Sequence, residues 1–170
     1  MNIIYHCYGS AHSSVIAAAI HLGKLPDSRI PGVHEIMALP DFDRSDDRYL
    51  GSLFYKGKDE KGFCVYTLGL GGQSAAALQT IKSMLALEGA DPESFHFVGA
   101  LHCITFMTKV GGALSRRYGL SFIGRPIAAW GITRSYPTLV ALVKQVKQQL
   151  HGAGEAMDLS RVCPVIHRSE

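Results

Sequence analysis

The chain has 170 residues, 47% of them hydrophobic and 18% charged, with a formal net charge of +3. That length suits one domain with a real hydrophobic core, and that composition excludes general disorder. The charge is too small, and its basic residues too dispersed, to call for nucleic-acid binding.

In chain order, the first strand is expected over 2–7. It ends in Cys7 and passes through Tyr8-Gly9-Ser10-Ala11-His12-Ser13-Ser14 into an apolar helix expected over 13–22. A strand is expected over 33–38. The polar stretch Asp41–Arg48 and the segment Leu53–Phe63 read as a hairpin excursion at the sheet edge, near 41–62. Its return enters a strand over 63–70, and Leu68-Gly69-Leu70-Gly71-Gly72-Gln73-Ser74 leads into a helix over 74–87, with Leu78, Ile81 and Leu85 at helical spacing. A strand follows over 95–101, a helix over 105–118, a strand over 126–130 and a helix over 136–150. Strands alternating with helices predict an α/β class: a single three-layer Rossmann-like domain over 1–151, with a mainly parallel sheet of four to five strands and helices on both faces. Residues 152–170 read as a C-terminal tail.

No basic n-region precedes the first strand, and no apolar run approaches the ~20 residues of a membrane span, so a cytoplasmic protein without membrane partners is expected. Cys7, Cys64, Cys103 and Cys163 form no C-x-x-C pair. The spacing of His6, His12, His34, His96 and His102 fits no zinc signature, so no metal site is expected. No cofactor is identified.

The chemistry concentrates at the first turn. The first amides of a helix lack intrahelical partners and the peptide dipoles add there, so the turn is suited to phosphate or another anion. Gly9 permits a positive φ, and Ser10, Ser13 and Ser14 offer hydroxyls. Cys7 is the candidate nucleophile and His12 the candidate proton-transfer group. Gly71, Gly72 and Gln73 repeat the strand-to-helix geometry and become ligand contacts if their strand neighbours the first. Arg134, in Gly131-Ile132-Thr133-Arg134-Ser135, would add positive charge after the last strand; Arg125 is a second source. Asp91-Pro92 reads as a turn before a strand. The segment is neither a Walker A loop nor a dinucleotide fingerprint.

Cys7, Gly9 and Ser14 resemble the opening loop of low-molecular-weight protein tyrosine phosphatases, a cysteine followed by five residues and Arg-Ser. Ser13 stands at the position of that family's arginine. The layout is also similar to the phosphocysteine loops of sugar phosphotransferase IIB components, which do not require the arginine. Over nearly the whole chain, His6-Cys7-Tyr8-Gly9, Ala11-His12-Ser13-Ser14, Ile20-His21-Leu22-Gly23, Asp59-Glu60, Val65-Tyr66, Leu68-Gly69, Leu114-Ser115-Arg116-Arg117 and Gly124-Arg125-Pro126 resemble an uncharacterised family of spore-forming Firmicutes. That resemblance implies a bacterial cytoplasmic protein. The expected partner is a phosphorylated small molecule or nucleotide, bound with or without phosphoryl-transfer or phosphohydrolase chemistry; a homodimer stays open. The alternatives are a non-catalytic regulatory or scaffolding protein of the same fold, and thiol redox sensing through Cys7.

Overall fold

The computed structural model describes residues 1–43, 47–103 and 121–153. Four strands form one sheet: β1 (Asn2–Cys7), β2 (Leu53–Lys58), β3 (Cys64–Gly69) and β4 (Phe95–Gly99), in the order β2-β3-β1-β4. β1 is central and pairs in parallel with β3, setting Cys7 opposite Gly69, and with β4, setting His6 opposite Gly99. β2 pairs with β3 in the antiparallel sense, so the sheet is mixed. The edge hairpin was expected; the antiparallel pairing follows from the short turn at Asp59–Gly62, which leaves no room for a crossover.

Helices cover both faces. α1 (Ser13–His21) is buried along its whole length, as a helix apolar on every side must be. It lies with the long α4 (Ser121–Ala153) over the face that presents Ile3, Tyr5, Val65 and Val98. The opposite face, with Ile4, Tyr66 and Leu68, is covered by Ala77, Leu78 and Ile81 of α3 (Ser74–Leu87). Each aliphatic side chain fully removed from water, such as Ile3 or Ile16, contributes about 1.5–3 kcal/mol.

Two expected strands are helical instead. Residues 33–38 form the short helix α2 (Val33–Met37), in which only Ile36 is buried. Glu35 accepts the Gly32 N–H at 2.8 Å and is gripped by both terminal nitrogens of Arg29, which fixes a helical first turn where strand propensity alone pointed elsewhere. The strand expected over 126–130 lies inside α4. Ala128, Ala129, Ile132, Tyr136, Leu139, Val143, Val146 and Leu150 are all buried and recur at spacings of three and four, so one apolar stripe runs through the helix despite Pro126 and Pro137. The helix expected over 105–118, the pair Arg116 and Arg117, Cys163 and the tail from 154 lie outside the described residues.

A buried polar chain ties the layers together. The Tyr5 hydroxyl meets His21 Nδ1 at 2.8 Å, and His21 Nε2 meets Asp59 Oδ2 at 3.1 Å. One neutral tautomer satisfies both contacts, with Tyr5 donating to Nδ1 and Nε2–H donating to the carboxylate. Asp59 Oδ1 accepts the amides of Lys61 and Phe63 at 2.9 and 2.8 Å. Burial pushes the Asp59 carboxyl up, but the hydrogen bonds from His21, Phe63 and Lys61 outweigh it and hold the group below its usual range.

Candidate functional site

The site grows from the parallel pairing of β1 with β3. Because Cys7 and Gly69 end the two strands in register, the turn after β1 and the turn after β3 lie side by side. Leu70 N–H donates to the Cys7 carbonyl at 3.0 Å and Gly71 N–H to the Tyr8 carbonyl at 2.8 Å. A β-carbon at Gly69 would stand 3.0 Å from the Gly9 carbonyl carbon and 3.1 Å from Ser10 N, so only glycine admits the contact.

Ser10 takes the left-handed conformation, with φ of 52°, and its hydroxyl donates to Thr67 Oγ1 at 2.8 Å. Among the described non-glycine residues, Asp43 is the other with positive φ, at 59°. Asp43 is held by its amide, which donates to the Ala11 carbonyl at 2.9 Å. Its buried carboxylate meets His12 Nε2 at 2.8 Å, and the His12 ring stands edge-on to Phe42, with centroids 5.3 Å apart. A buried carboxylate on one ring nitrogen fixes the orientation of the imidazole and leaves Nδ1 as the exchangeable position. Sequence reading missed Asp43, which lies 31 residues from His12 in a polar loop that offers no local signal.

Cys7 is a free, buried thiol whose Sγ lies 3.1 Å from Ser14 Oγ. Ser13 is fully buried, and its hydroxyl has no hydrogen-bond partner among the described residues. Nor does any protein acceptor among those residues take the N–H groups of Gly9, Ala11, His12, Ser13 or Ser14. Five amides and a buried hydroxyl without partners among the described residues therefore lie in the turn and first residues of a nine-residue helix. Runs of free amides like that over residues 11–14 are one way in which proteins hold anions.

Of the other expected ligand residues, Gly71 is joined to the first turn by its amide, a β-carbon on Gly72 would lie 4.0 Å from Tyr8 Cε2, and Gln73 precedes α3 without a capping bond from its side chain. Arg134 sits on the exposed side of α4, its guanidinium 4.2 Å from the centre of the Trp130 ring; its contact is that ring and not the side chains of the first turn. Arg125 donates to the Met37 carbonyl at 2.8 Å and joins α4 to the end of α2. Asp91 accepts from Glu93 N and Ser94 Oγ in the turn that opens β4, at the opposite end of the parallel strands from the site. A groove of about 640 Å³ at that end is bordered by Met1, Leu85, Pro92 and Phe95 together with Lys82, Glu93, His96 and Gln149, and holds none of the residues of the first turn. No three His, Cys, Asp or Glu side chains converge as a closed metal cage among the described residues, and no helix among them is long and apolar enough to cross a membrane.

The chain belongs to the family described as Protein of unknown function (DUF3189), which it matches over residues 2–148. No curated protein and no solved structure matches it.

Proposed function

We propose that the first turn binds the phosphate group of a phosphorylated small molecule or nucleotide. The observation that carries this reading is the coincidence of five amides with the buried hydroxyl of Ser13 at one helix N-terminus, all without a partner among the described residues. Burying a hydroxyl without a partner is unfavourable by about 1–3 kcal/mol, so such a group is expected where a ligand supplies the missing acceptor. The side-by-side turns after β1 and β3, with their helices on opposite faces, support a Rossmann-like reading in which ligands sit at the carboxyl ends of the strands.

Cys7 beside Ser14, with His12 oriented by Asp43, supplies a nucleophile and a proton-transfer group for phosphoryl transfer or phosphate-ester hydrolysis. A second reading, non-catalytic binding in a regulatory protein, is supported by position 13, where a serine leaves the loop without the guanidinium that would neutralise a transferring phosphoryl group. Thermal protection and calorimetric titration with inorganic phosphate, sugar phosphates and nucleotides test the binding. Protection that weakens in Ser13→Ala and Ser14→Ala supports it; no protection by any of them refutes it. Turnover of a bound ester that disappears in Cys7→Ser or His12→Ala selects the enzymatic form.

A further inference from the structure

Two histidines outside the first turn are brought together by the pairing of β1 with β4. Their register sets His6 opposite Gly99, and the Ala100 amide donates to the His6 carbonyl at 2.9 Å as the chain leaves the sheet. The turn Leu101–Cys103 then carries His102 back over the strand end. A β-carbon on Gly99 would lie 3.1 Å from His102 Cε1, 3.3 Å from His6 Cε1 and 3.4 Å from His6 Nε2. Both imidazoles therefore approach one point, and any larger residue at 99 would displace them.

Neither ring has a hydrogen-bond partner among the described residues, whereas His12 and His21 each meet a carboxylate. Burial lowers the affinity of His6 for a proton, and the neighbouring His102 lowers it further. His102 is exposed. Neutral imidazoles with open nitrogens are ligands for borderline divalent ions, which bind them at about 2.0–2.1 Å. Oxygen-seeking ions such as magnesium and calcium gain little from such a pair.

We propose that His6 and His102 form an open two-imidazole site for a zinc-class divalent ion, with water completing the coordination. Linear spacing gave no zinc signature because one ligand lies on β1 and the other in the turn after β4, adjacent in space and distant in sequence. Successive residues of a strand face opposite sides of the sheet, so His6 and Cys7 point apart and this site does not depend on the first turn.

The test is calorimetric titration of the whole chain with zinc in phosphate-free buffer at about pH 7.5, beside His102→Ala, His6→Ala and, as a control, His34→Ala. The expected result is binding of one ion per chain that weakens about tenfold or more in either site variant and is unchanged in His34→Ala. Magnesium should give no signal. Where His6→Ala alters the melting profile, His102→Ala at its exposed position decides alone. Zinc binding that is absent, or equally tight in His102→Ala, overturns the proposal.

Discussion

Replacing Ser13 with alanine separates the role of its hydroxyl in binding from its role in folding. The side chain is wholly buried in the first turn of α1 and its oxygen is unpartnered among the described residues. Without ligand, that oxygen is unfavourable by about 1–3 kcal/mol, and alanine is the better helix former by about 0.5 kcal/mol. The void left by one atom offsets part of the gain, so a net stabilisation of about 1–2 kcal/mol is expected. For a chain of this size it raises Tm by about 2–8 °C. The same change removes a donor from the anion. A hydrogen bond to a charged group contributes about 1.5–3 kcal/mol, so affinity for phosphate should fall about tenfold to a hundredfold or more. Stability and affinity move in opposite directions, which scanning calorimetry without phosphate and isothermal titration with it will read together. Ser14→Ala is the contrast: its hydroxyl already has the Cys7 sulfur as partner, so stability should fall. A Ser13→Ala protein that is less stable than the parent and binds phosphate equally well refutes the reasoning.

Gly69→Ala pushes a methyl group against the Gly9 and Ser10 backbone, so a loss of about 1–3 kcal/mol is expected in urea melts, together with weaker phosphate binding. His21→Ala strands the Tyr5 hydroxyl and the Asp59 carboxylate; at about 1–3 kcal/mol for each orphaned group, Tm should drop by roughly 4–24 °C, and an unchanged Tm would show that water replaces the imidazole at no loss. The pH dependence has two windows. Burial first, then the charge of His102, lowers the folded pKa of His6, and burial lowers that of His96, so the unfolded chain binds more protons and stability falls as pH drops below the unfolded value of about 6.5. Asp59, held below its usual range, adds stability above its unfolded pKa of about 3.9 that is lost as pH falls further through the folded value. Urea midpoints that stay level from about pH 7.5 to 5 would contradict the histidine part.

Local signals carried much of the fold and the central turn. The apolar run 2–7, the small residues after it and the apolar run that follows specify β1, the turn and α1 without help from distant residues, and the same holds for β3 and α3. The mixed sheet was legible in part, because the charged turn at Asp59–Gly62 marks a hairpin. The misread elements share a cause. Val33–Met37 is set by the grip of Arg29 and Glu35 and not by the propensity of its valine and isoleucine. In α4, Pro126 and the glycines at 124 and 131 suggested breaks, while the stripe from Ala128 to Leu150 that holds the helix against α1 crosses them. The partners that tune the site were out of reach for another reason. Asp43 on His12, Thr67 on Ser10 and Asp59 on His21 are contacts across tens of residues, fixed only once the sheet order is known.

The claim that the first turn is an anion site is tested most directly by titrating isotope-labelled protein with inorganic phosphate and following its amide resonances. The account expects a saturable, one-to-one response in which Gly9, Ala11, His12, Ser13 and Ser14 shift together. Saturating phosphate that leaves those five amides unmoved would contradict it.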